Sequence, residues 1–116
     1  MTGEVVGGTP YIELRIGERT WKAVIDTGFN ADLELPQALF DTVVIRHLGE
    51  AVSHLAAGCT TTQDYYLVRL PFDDGMIEAT ASFVDNNEIL VGTALLKDYV
   101  LTIDFVLGSV LVQRQA

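Results

Sequence analysis

Asp26-Thr27-Gly28 is the stretch of this sequence whose residue types and spacing offer chemistry. The aspartate follows Ala23-Val24-Ile25, an apolar run suited to a buried strand. Its carboxylate is therefore carried to a strand end where burial penalises charge. Thr27 supplies a hydroxyl that can bond to backbone, and Gly28 lets other backbone approach where a Cβ would intervene. A loop of this kind holds a carboxylate in place within narrow surroundings. The plain alternative is a β-turn, because Asp and Gly are common turn residues. By composition alone the triplet arises in roughly one chain in a hundred of this length.

Elements on either side must position that loop. Tyr11 to Ile16 alternates, with Ile12, Leu14 and Ile16 on one face, and Gly17-Glu18 reads as a tight turn into a returning strand from Thr20 to Ile25. Leu33-Glu34-Leu35 alternates again, and Pro36 opens a short helix through Phe40. Val43 to Ala51 is ambiguous by periodicity. Strands are expected over Val52–Ala57 and Thr60–Leu70, flanking a turn at Ala57-Gly58-Cys59. Asp73-Asp74-Gly75 marks a turn before a β-like run from Met76 to Val84, and Asn86-Asn87 marks another before Ile89-Leu90-Val91-Gly92. Thr93 is placed to cap a short helix over Ala94 to Lys97. Two closing strands, Val100–Phe105 and Val110–Gln113, meet around Leu107-Gly108. The sum is an all-β chain with one or two short helices, and residues 1–116 make a single domain.

Taken together, this order of motifs resembles the retropepsin-like (clan AA) aspartic proteases. The hairpin into Asp26-Thr27-Gly28 matches the first signature. Leu90-Val91-Gly92 before Ala94-Leu95-Leu96 matches the second apolar-apolar-Gly motif, and the strands around Ala57-Gly58-Cys59 match the flap. Asp26-Thr27-Gly28-Phe29-Asn30 with Leu35-Pro36 looks like the small microbial members. The resemblance covers about Tyr11 to Val112 and implies an acid-protease barrel with one lobe per chain. It implies Asp26, Thr27 and Gly28 as catalytic-loop residues, with Phe29, Asn30, Ala57, Gly58 and Cys59 facing substrate. Two such carboxylates facing each other cannot both ionise cheaply, so a pair shares one proton while activating a water. The chain has one Asp-Thr-Gly and no Asp-Ser-Gly, so the second carboxylate must come from a second chain, most simply in a two-fold homodimer. Phe29 stands where retropepsins usually have Ala or Ser, and the flap region is less glycine-rich than retroviral flaps. Two other readings stay open: a retropepsin-like binding or dimerisation module with weak or no catalysis, and an unrelated β-barrel whose Asp-Thr-Gly is only a turn.

Seven basic against 16 acidic side chains give a net charge of −9. That balance opposes binding to nucleic-acid phosphates and to anionic membranes; a peptide or protein substrate is the partner that the resemblance implies. A lone cysteine, Cys59, and two distant histidines, His47 and His54, supply neither an intrachain disulfide nor a metal site, and no cofactor is expected. A cytoplasmic setting follows as the default. The first residues carry no signal-peptide pattern. Trp21 is expected as a core or interface anchor, the histidines face solvent, and Tyr65 and Tyr66 divide between core and solvent.

Overall fold

The structure is a computed structural model that describes residues 1–54 and 56–115. Strand β2 (Thr9–Ile16) turns at Gly17-Glu18 into β3 (Arg19–Ile25), and the alternation of β2 buries Ile12, Leu14 and Ile16 as its pattern requires. From β3 the inward residues are Trp21, Ala23 and Ile25. The Arg19 guanidinium lies 3.9 Å from the centre of the Trp21 ring. β4 (Leu33–Pro36) leads into a 3-10 turn over Gln37–Leu39 and one helical turn, α1 (Phe40–Val43), so the helix opened by Pro36 forms and runs slightly longer than expected.

The ambiguous stretch is β5 (Val44–His54), which pairs antiparallel with β6 (Thr60–Phe72) across a tip at Ala56–Gly58. Register shifts between Val44 and Arg46 and between His47 and Gly49 interrupt the pairing, which is why no clean alternation is visible there. Leu55, inside the expected Val52–Ala57 strand, lies outside the described residues. Asp73 and Asp74, both at positive φ, form the two-residue turn from β6 into β7 (Gly75–Val84).

β8 (Ile89–Val91) runs parallel to β3 and antiparallel to β4. The segment after it differs from expectation. Thr93 to Asp98 forms successive turns and not a helix. The Thr93 and Ala94 N–H groups donate outward, to Phe29 and Ala31 carbonyls, and the Thr93 hydroxyl lies 3.4 Å from the Phe29 carbonyl oxygen. The would-be cap is thus engaged elsewhere, and so short a helix has little cooperativity of its own. β9 (Tyr99–Asp104) and β10 (Ser109–Arg114) close the chain as a hairpin. β10 also pairs with β1 (Thr2–Val6), a strand without a readable pattern, and Val112 N–H donates to the Met1 carbonyl.

One sheet results, in the order β5-β6-β7-β4-β8-β3-β2-β1-β10-β9. It curls so that β2 packs on β6 around one core in which Leu33, Leu35, Val68, Leu70, Ile89 and Val91 are fully enclosed. Among the described residues no helix is long and apolar enough to cross a membrane.

Candidate active site

Asp26 stands at the first residue past β3, where the parallel pairing with β8 continues by one bond: its N–H donates to the Val91 carbonyl at 3.0 Å. The side chain then folds the turn after it. Asp26 Oδ1 accepts the Gly28 N–H at 2.9 Å, and the Asp26 carbonyl accepts the Phe29 N–H at 3.1 Å. A Cβ on Gly28 would sit 3.3 Å from that carboxylate oxygen, so glycine keeps the turn tight without crowding it. Asp26 is half-buried, whereas Thr27 and Gly28 are exposed. Asp26 Oδ2 takes no hydrogen bond from the described residues, which leaves one oxygen held and the other available.

The rest of the loop is tied to the chain beyond β8. The Phe29 carbonyl accepts the Thr93 N–H at 2.8 Å, the Ala31 carbonyl accepts Ala94 at 3.3 Å, and the Asp32 carbonyl accepts Gly92 at 2.9 Å. The approach is so close that a Cβ on Gly92 would stand 2.0 Å from the Ala31 carbonyl oxygen and 2.7 Å from the Phe29 ring. The second apolar-apolar-Gly motif therefore has a local reason: only glycine lets the Asp26 loop lie against this backbone. Asp32 adds a third anchor. Its Oδ2 accepts both the N–H and the hydroxyl of Thr80, at 3.0 and 3.1 Å, and so pins the loop to β7 just where the β4–β7 ladder ends.

Between this loop and the β5–β6 hairpin lies a cavity of about 370 Å³. Phe29, Ala31 and Leu33 line one side, and Glu50, Asp64 and Tyr65 are among the residues on the other. Phe29, whose bulk threatens to fill such a space, lies against Gly92 at the cavity wall, and the cavity remains open. Glu50 faces Asp64 in the hairpin register, and His47 Nε2 sits 2.9 Å from Asp64 Oδ1 at the exposed surface. A larger groove of about 540 Å³, lined in part by Met1, Glu13, Arg15 and Asp74, shares no residue with the Asp26 loop.

The expected site residues therefore fall into two groups. Asp26, Thr27, Gly28, Phe29 and Asn30 share one clamped loop. Ala57, Gly58 and Cys59 sit at the hairpin tip, exposed, and none of them lines the cavity. The middle of the hairpin lines it instead. Tyr65 and Tyr66 are both half-buried: Tyr66 packs against the core and edge-on against Phe40 and Phe83, as expected of one of the pair, whereas Tyr65 lines the cavity. Both histidines are exposed, as expected. Asp32 and Thr80 were not anticipated as anchors. An Asp immediately before an alternating strand hints at a role, but nothing in the sequence points to a partner 48 residues away.

No protein-family model and no curated protein sequence matches the chain. Solved structures do. The chain is similar to a retropepsin-like aspartic protease from Rickettsia conorii, with TM-score 0.67 and 15% identity over 98% of this chain and 89% of that one. It is also similar to the simian foamy virus protease, with TM-score 0.60 and 20% identity over 75% of this chain and 91% of that one. The EIAV protease in complex with an inhibitor matches at TM-score 0.59 and 16% identity, over 80% and 89% of the two chains. The chain has the retropepsin-like fold.

Proposed function

We propose that this protein is an aspartic endopeptidase that acts as a homodimer, with Asp26 of each chain at the two-fold axis. The observation that carries the reading is the Asp26 loop itself. An Asp-Thr-Gly at a strand end, clamped against Gly92 and anchored by Asp32, has one carboxylate oxygen unbonded by the described residues, and the same loop lines an open cavity through Phe29 and Ala31. In the dimer one Asp26 carboxylate takes a proton from a water whose oxygen attacks the peptide carbonyl. The protonated Asp26 of the partner subunit donates a hydrogen bond to the developing oxyanion. The proton then passes to the amide nitrogen as the C–N bond breaks. Thr27 braces the paired loops, and Gly28 offers backbone to substrate. The substrate is a peptide in extended form, held between the loop and the β5–β6 hairpin with alternate side chains in pockets. Phe29 and Asn30 contact it from below, and Ala57, Gly58 and Cys59 close over it from the tip. Cys59, free and exposed, suits a reducing compartment such as the cytoplasm.

The test is cleavage of a peptide library at mildly acid pH by wild-type protein and by Asp26→Asn. The expected result is a rate lower by about 1,000-fold or more in the variant, with its sedimentation unchanged, since general acid–base catalysis contributes on this order. Cleavage that survives the substitution overturns the mechanism. Absence of cleavage by a wild-type dimer at any pH points to the binding-module reading.

A further inference from the structure

A second cavity beside the β5–β6 hairpin, of about 390 Å³, has Phe40, Tyr66, Phe83, Asp64, Gln37 and Gln63 in its wall. Tyr66 and Phe83 continue the core-facing rows of β6 and β7 one step past Val68 and Ala81, and Phe40 opens α1. The three rings are half-buried and meet edge-on, with centroids 5.0, 5.1 and 5.5 Å apart. Asp64 precedes Tyr66 by two positions and shares its face of β6. Its Oδ1 lies 2.9 Å from His47 Nε2, and its Oδ2 takes no hydrogen bond from the described residues. β6 pairs with β7 only from Tyr66 onward. Just ahead of that point, Gln63 and Asp64 line both this cavity and the one that the Asp26 loop lines.

We infer that the second cavity takes a lysine or arginine side chain of the peptide substrate, at a position flanking the scissile bond. The inference deepens the proposed function and rests on it for the source of that side chain. The chemistry of the wall selects a cation. Aromatic faces carry the negative side of a quadrupole, and a carboxylate oxygen with the amide oxygens of Gln37 and Gln63 supplies acceptors for an ammonium or guanidinium. Elsewhere the chain meets the same demand from within. Arg19 lies over Trp21 at 3.9 Å, Lys22 over Tyr11 at 5.2 Å and Arg114 over Tyr99 at 5.8 Å. Among the described residues no such cation lies over Phe40, Tyr66 or Phe83, and neither Lys nor Arg lines this cavity. A net charge of −9 favours a basic ligand over an acidic one. The shared wall at Gln63 and Asp64 makes the occupant a substrate residue. An extended peptide beside the Asp26 loop points successive side chains to opposite sides, and a long basic side chain can lay its stem on the rings with its head at Asp64.

The test compares cleavage of peptides that differ only by lysine or its neutral isostere norleucine, scanned along both sides of the scissile bond. At one position lysine is expected to raise kcat/KM by about 10-fold, through KM. The gain should shrink as salt is raised, because Asp64 is exposed. Phe40→Leu/Phe83→Leu keeps apolar side chains but removes the rings, and is expected to cleave the lysine and norleucine peptides alike. Cleavage without any preference for lysine overturns the inference and leaves the proposed activity standing. A lysine preference that survives in the double variant also overturns it. Arginine amide titrated into the wild-type protein, with citrulline amide as the neutral control, covers a variant that does not fold and a chain that does not cleave. Saturable NMR shifts at Phe40, Asp64, Tyr66 and Phe83 with arginine amide alone support the cation site, even where absence of cleavage overturns the activity. No shift at these residues, or the same shift with citrulline amide, overturns the site.

Discussion

Two short irregular segments carry the residues assigned to the site, and the structure holds them in opposite ways. The Asp26–Asp32 loop is bonded along its length: to β8 through Asp26, to the Gly92–Ala94 backbone through Phe29, Ala31 and Asp32, and to β7 through the Asp32 carboxylate. Among the described residues the Ala56–Cys59 tip has one backbone bond of its own, Cys59 N–H to the Ala56 carbonyl at 3.4 Å, and every residue in it is exposed. A catalytic carboxylate needs a fixed position, whereas a segment that admits and releases a peptide needs to move. On the proposed function the same fold would serve both needs, by bringing non-local backbone to one segment and leaving the other at the end of a hairpin.

The largest expected effect comes from striking the clamp where it has no slack. Gly92→Ala places a methyl group 2.0 Å from the Ala31 carbonyl oxygen, against backbone that is bonded and has nowhere to go. It is expected to lower unfolding stability by about 3 kcal/mol or more, read as a fall in the urea midpoint at constant slope. A variant as stable as wild type would mean that the loop does not lie against Gly92. Asp32→Ala comes next. It leaves the half-buried Thr80 N–H without its acceptor, at a cost of about 1–3 kcal/mol. On the proposed function Asp32 acts by shaping the loop, so cleavage is expected to fall mainly through kcat.

These two residues also show what the sequence could and could not reveal. The hairpin into Asp26 and the turn at Asp73-Asp74 were legible because alternation and turn chemistry are local signals, whereas the link between Asp-Thr-Gly and Leu90-Val91-Gly92 came only from the family resemblance. The reason for Gly92 was not, since it lies in contact with residues 29 and 31, some sixty positions earlier. Asp32–Thr80 and the β1–β10 pairing are hidden for the same reason. β5 was obscured by its own bulges, which slip the period-2 pattern. The helix expected after Thr93 does not form: the Thr93 hydroxyl that would cap it lies against Phe29 and Asn30 in the Asp26 loop, a demand that no local pattern records.

The smallest expected effect belongs to the tip. Ala57 holds φ 61° and ψ 29°, a left-handed conformation that costs a residue with a Cβ about 1–2 kcal/mol relative to the right-handed one. Ala57→Gly relieves that strain but adds freedom to the unfolded chain, which offsets part of the gain. A rise of less than about 1 kcal/mol in unfolding stability is expected, of opposite sign to the changes in the clamp. A fall in the urea midpoint as large as that of Asp32→Ala would show the tip to be packed in solution, and the contrast between a clamped loop and a free one would be lost.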